Sequence, residues 1–139
     1  MKRIGIGVLA LIGCSLLVCG LFAESQEEQA VAEAKAWLAL VDAGDFEKSW
    51  ERASSLFRNA VDQSGWKQAL SGTRTPLGKV ITRELKSAQF ATSLPGAPDG
   101  EYVVIQFSSK FDMKESAIET VTPMRDTDGT WRVAGYFIK

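Results

Sequence analysis

EYVVIQFSSKF, residues 101–111, decides the fold. β-Branched and aromatic side chains fill this stretch, and Val103, Ile105 and Phe107 fall two apart, the period of a strand with one buried face. Val80 to Ala91, Ala117 to Met124 and Thr130 to Ile138 have the same character, so four strands are predicted. Leu94-Pro95-Gly96-Ala97-Pro98-Asp99-Gly100 cannot be a strand and must loop between the first two. Asp126-Thr127-Asp128-Gly129 suits a hairpin in which Gly129 takes a positive φ, placing Asp126 opposite Thr130. Under that register Val103, Ile105, Phe107, Val121, Pro123, Trp131, Val133 and Phe137 share one apolar face, interrupted by Glu119. The opposite face, with Tyr102, Val104, Thr120, Met124, Arg132 and Tyr136, is too mixed for a core. Such a face suits a partner or a second copy of the chain.

Upstream the period changes to that of helices. Ala30, Ala34, Trp37, Leu38 and Val41 recur at three- and four-residue steps, which predicts an amphipathic helix from Glu24 to Val41. Asp42-Ala43-Gly44-Asp45 ends it and offers Asp45 as the cap of a second helix, from Phe46 to about Ser54, whose buried stripe is Phe46 and Trp50. Asp62 to Leu70 is a third, with Trp66 and Leu70 four apart and Ser71-Gly72 as its end. Helices followed by strands predict an α+β class: N-terminal helices packed on a curved, four-stranded antiparallel sheet.

The start of the chain is of another kind. Lys2 and Arg3 precede an apolar run from Ile4 to Ala23, and Glu24, Glu27 and Glu28 follow at once, the pattern of an export signal. Residues 1–23 are therefore expected to be a leader and 24–139 a single domain, periplasmic or secreted. Three outcomes fit the leader: cleavage after Ala23, acylation at Cys14 within Leu11-Ile12-Gly13-Cys14, or retention as a membrane anchor of about twenty apolar residues. Membrane contact is expected only through the leader or an acylated Cys14.

Composition excludes several chemistries. The chain has no histidine, and both cysteines, Cys14 and Cys19, lie in the leader. Zinc sites of the usual kind, Ser-His-Asp catalysis and thiol nucleophiles are therefore not expected, nor is a cofactor. Without Lys2 and Arg3 the formal charge moves from −1 to about −3, with no basic run, so no nucleic-acid partner is expected. The four tryptophans and seven phenylalanines can supply a core without disulfides.

Trp37-Leu38-Ala39-Leu40-Val41-Asp42-Ala43-Gly44-Asp45-Phe46 with Ser49-Trp50 resembles the opening of an exported bacterial family, domain of unknown function four-zero-one-nine. Arg74-Thr75-Pro76-Leu77-Gly78, Leu94 to Tyr102, Glu119-Thr120-Val121 and Gly129 to Tyr136 resemble its other segments. The resemblance implies no activity. The order of elements is also similar to the cystatin-like and nuclear-transport-factor-two-like cone, a fold shared by enzymes and binders.

Two kinds of site remain. Glu119, on the core-facing row, is the candidate general base of an isomerase or dehydratase, with Arg83 or Arg132 steadying an anion. The plainer alternative is a structural carboxylate paired with Arg83. Trp37, Trp50, Trp66, Phe107 and Trp131 either line a pocket for a small apolar or amphiphilic ligand or fill the core. Asp126 and Asp128 beside Gly129 hold only a fragment of a calcium loop, and turn chemistry explains them. The expected function is that of a non-enzymatic module of the cell envelope, binding a partner protein or small ligand. The alternatives are a small enzyme using Glu119 and a membrane-tethered accessory lipoprotein.

Overall fold

Four helices precede four strands in the computed structural model, which describes residues 23–139. The leader through Phe22, with Cys14 and Cys19, lies outside the described residues. Helix α1, Gln26–Asp42, starts where the Ser25 hydroxyl accepts the Glu28 N–H at 3.1 Å, with Glu27 and Glu28 against the positive end of the helix dipole. Its buried residues are Ala30, Ala34, Trp37, Leu38 and Val41, the stripe read from the spacing. Gly44, at φ 78°, turns the chain into α2, Phe46–Arg52.

The second helix differs from expectation. Asp45 makes no side-chain cap, and the buried residue of α2 is Ser49, with Phe46 and Trp50 half-buried around it. Ala53 and Ser54 leave the helix, and a further short helix, α3, Ser55–Ala60, begins with the Ser54 hydroxyl accepting the Phe57 N–H. The Ser54 N–H donates to the Val133 carbonyl at 2.9 Å, so this break ties the helices to the sheet. Helix α4, Gln63–Thr73, is capped by Asp62, runs through Ser71-Gly72, and is followed by a 3₁₀ turn at Thr75–Leu77.

Strands β1, Val80–Ala91; β2, Tyr102–Phe111; β3, Lys114–Arg125; and β4, Trp131–Ile138 form one antiparallel meander in chain order. The last hairpin closes as expected, with Gly129 at φ 80° and Asp126 N–H bonded to the Thr130 carbonyl at 2.8 Å. Beyond it the register shifts. Thr122 pairs with Gly135 and Pro123 with Val133, leaving Ala134 as an extra residue. Pro123 has no N–H to continue the ladder, and a bulge accommodates it.

The shift exchanges two side chains between the faces. Tyr136 pairs with Val121 and enters the core side, whereas Phe137 turns outward and is 57% exposed. Strict alternation had placed them the other way round. Tyr102 does lie on the outer side but is buried under the Leu94–Gly100 loop, its hydroxyl donating to the Pro98 carbonyl at 2.5 Å. The core lies between α1 and the sheet, where Trp37 and Leu38 meet Val103, Ile105, Phe107, Val121 and Val133.

Candidate functional site

Glu119 is fully buried, and four donors converge on it. Arg83 pairs in register with Ser109, whose side chain stands two residues beyond Phe107 on the inward face, and Phe107 pairs with Glu119. Arg83 Nε lies 2.7 Å from Oε1 and Nη2 lies 3.2 Å from Oε2. The Ser109 hydroxyl donates to Oε1 and the Tyr136 hydroxyl to Oε2, each at 2.5 Å. The other edge of the Arg83 guanidinium grips Asp42, the last residue of α1, with Nη1–Oδ2 at 2.7 Å and Nη2–Oδ1 at 3.0 Å. Arg74 closes the chain of charges, giving Nη2 to Asp42 at 3.2 Å and Nη1 to the Gly78 carbonyl, with its guanidinium over the Phe111 ring.

Two carboxylates and two guanidiniums thus balance inside the domain. Burial alone would lower the Arg83 pKa, but the hydrogen bonds to Asp42 and Glu119 outweigh it and hold the guanidinium above its ordinary value. Burial, and then the Glu119 charge, push the Tyr136 phenol far above its ordinary value, so Tyr136 stays a donor. A general base needs a lone pair facing its substrate, and here each Glu119 oxygen already accepts two hydrogen bonds. The cluster joins the end of α1 to β1, β2, β3 and β4.

Arg132 stands apart from this cluster. It pairs with Asp128 at 2.8 and 2.9 Å and more distantly with Asp126, in the β3–β4 turn. Asp126 also accepts the Ser55 N–H at 2.9 Å and its hydroxyl at 2.5 Å, so the turn caps α3. Among the described residues, no group of three or more acidic residues is placed to hold a metal ion, and no helix is long and apolar enough to cross a membrane.

The aromatic candidates sit mainly in the core. Trp37 and Phe107 are fully buried, Trp66 and Trp131 nearly so, and Trp50 packs against their cluster. Three indoles are tied to backbone or side chain: Trp37 to the Ser49 carbonyl, Trp50 to the Val61 carbonyl and Trp66 to the Ser49 hydroxyl. This is how buried tryptophans serve as packing with a satisfied polar edge. Concave space occurs at the rim. A groove of about 570 Å³ runs between α4, the 3₁₀ turn and the end of β4, with Trp66, Leu70, Leu77, Tyr136 and Phe137 on its walls. Of the outer-face candidates, Thr120 is buried and Arg132 half-buried, leaving Val104, Ile118 and Met124 as partly exposed apolar side chains, to which the bulge adds the exposed Phe137.

The family model described as "Protein of unknown function (DUF4019)" matches residues 33–136. The chain belongs to this family. No curated protein matches it. The matched span of the DUF4019 domain contains every residue of the buried charge cluster, Asp42, Arg74, Arg83, Ser109, Glu119 and Tyr136. Of these, sequence reading joined Arg83 to Glu119 but not the other four, Asp42, Arg74, Ser109 and Tyr136. Ser109 continues the inward series Val103, Ile105, Phe107 and was open to the same argument. Asp42 was read only as turn chemistry, and Tyr136 was hidden by the bulge.

Proposed function

We propose that this protein is an exported module of the bacterial cell envelope that acts by binding, not by catalysis. The observation that carries the reading is the filled coordination of Glu119: this fully buried carboxylate is committed to Arg83, Ser109 and Tyr136. The leader, with its cations, apolar run and acidic exit, supports export. The rim groove and the exposed part of the outer sheet face, with Ile118, Met124 and Phe137, are surfaces for a small ligand, a partner protein or a second copy.

Carbodiimide labelling of folded protein, read by peptide mass mapping, tests the non-catalytic reading. Glu115 is exposed and takes the label, whereas Glu119 is reached only on unfolding. Labelling of both at similar rates in the folded state would defeat it. Intact mass of the protein from its own host tests export, since cleavage after Ala23 and acylation at Cys14 each give a mass distinct from the full chain. A full-length, unmodified mass with the protein in the cytoplasmic fraction would overturn it.

A further inference from the structure

We propose that the groove between α1 and β1 is the interface of a two-fold dimer, its occupant a second copy of this chain. This goes beyond the reading of the domain as a binding module and does not depend on it. Among the described residues, three of the five exposed large apolar side chains, Ile81, Leu85 and Phe90, belong to β1. Leu85 and Phe90 pair in register with the buried Phe107 and Val103, so they stand on the core face of the sheet, at an edge strand that the helices leave partly open. With Ala88 of the same strand and Val31 of α1, Leu85 lines a groove of about 320 Å³. The backbone edge of β1 is a poor template for a further strand, because two register shifts interrupt it and Lys86 falls in the second. A partner is therefore expected to meet the side chains of this face, not to extend the sheet.

The charges of the groove select a second copy as that partner. Glu27, Glu28 and Lys35 are its charged lining, and among the described residues none of them has an ion-pair partner. Glu28 and Lys35 are both exposed and stand two turns apart on the Val31 side of α1, about 10 Å along the axis, too far to pair with each other. Their midpoint falls between Val31 and Ala32. A two-fold axis at that point lays a second α1 antiparallel to the first, and Glu28 of each copy then faces Lys35 of the other, with Val31 and Ala32 between them. The apolar side chains of the groove, Leu85 among them at 48% exposed, are covered by the same step. A partner bearing one sign of charge would leave one end of the groove unmatched, whereas this surface is its own complement. Glu27 puts the acidic end in excess, but it lies in the first turn, where the positive end of the helix dipole offsets it.

Sedimentation equilibrium of the protein as purified from its host tests the interface. A reversible dimer with a dissociation constant on the order of 10 μM is expected, the weak association of a small interface. Glu28→Lys and Lys35→Glu each replace two attractions by two repulsions and weaken it about tenfold. Lys35→Glu, in mid-helix, keeps the test open if Glu28→Lys loosens the first turn of α1. Mixed together, the two variants are expected to form a heterodimer within about threefold of the wild-type affinity, because each offers the other the opposite charge at both positions. Leu85→Gln, which acts twice by symmetry, weakens the dimer about tenfold through lost apolar burial. A monomer at about 100 μM, free or carrying another ligand or protein, would overturn the proposal. So would a dimer that both charge variants leave unchanged, as pairing through the outer sheet face or the β1 edge would be, or single variants that do not associate when mixed. A monomer that still shields Glu119 from carbodiimide loses this interface alone and leaves the non-catalytic reading standing.

Discussion

Replacing Glu119 with glutamine keeps its shape and removes its charge, and the structure sets the cost. Each carboxylate oxygen accepts one Arg83 N–H and one hydroxyl. Whichever oxygen becomes the amide nitrogen then faces a guanidinium N–H that cannot accept, so at least one charge-assisted bond becomes a donor–donor contact. The hydroxyl on that side, Ser109 or Tyr136, must also turn away. Arg83 is left sharing Asp42 with Arg74, two cations on one carboxylate in a region where these side chains are at most 21% exposed. Breaking a buried pair by removing one partner costs about 3–5 kcal/mol. Against a total of about 5–15 kcal/mol for a domain, that is a large share. It corresponds to a fall in Tm of about 10–20 °C at this size. Urea unfolding at pH 7, followed by tryptophan fluorescence, measures it as a lower midpoint at unchanged m-value. Glu115→Gln, at an exposed site, is the control and is expected within about 0.5 kcal/mol of wild type. A loss below about 1 kcal/mol in Glu119→Gln would refute the reasoning, because it would mean that Arg83 does not depend on this carboxylate.

Three further outcomes follow from the same contacts. Tyr136→Phe removes one hydrogen bond to a charged acceptor and costs about 1.5–3 kcal/mol at neutral pH. Because the folded pKa of Tyr136 is raised, its contribution is full below about pH 10 and is lost as pH rises toward the folded value. The stability of Tyr136→Phe therefore falls less steeply above about pH 10 than that of wild type. Asp126→Ala removes the cap on Ser55 and costs about 1–2 kcal/mol near neutrality. Burial opposes ionisation of Asp126, but bonds from Ser55 and Thr127 and the charge of Arg132 win and lower its pKa, so the deficit shrinks as pH falls below about 4. Trp37→Ala, which empties a fully buried site and frees the Ser49 carbonyl, costs about 3–5 kcal/mol by chemical denaturation.

Where one periodicity governs a segment, the sequence was legible. The α1 stripe, the β2 face and the last turn follow from local spacing and local turn chemistry, and the structure has each of them. Legibility ended where a long-range requirement overrode the period. Pro123 was counted as an apolar floor residue, yet its missing N–H breaks the ladder, and every side chain of β4 beyond Val133 changes face as a result. Ser54 was taken as a helix end when it begins α3, because its N–H is held by Val133 of a strand far along the chain. Glu119 was visible as an anomaly among apolar neighbours, and its pairing with Arg83 was foreseeable. Asp42 could not be, since it arrives from the end of a helix in another layer. Tyr102 read as a surface aromatic until the Leu94–Gly100 loop was seen to cover it.

The account rests on a sealed, satisfied carboxylate, and the proton between Tyr136 and Glu119 reports on it most directly. By proton NMR at neutral pH, the Tyr136 hydroxyl is predicted to give its own downfield resonance, slow to exchange with water and missing from Tyr136→Phe. A folded protein in which that proton exchanges too fast to be seen would contradict the account, because water, and hence a substrate, would then reach Glu119.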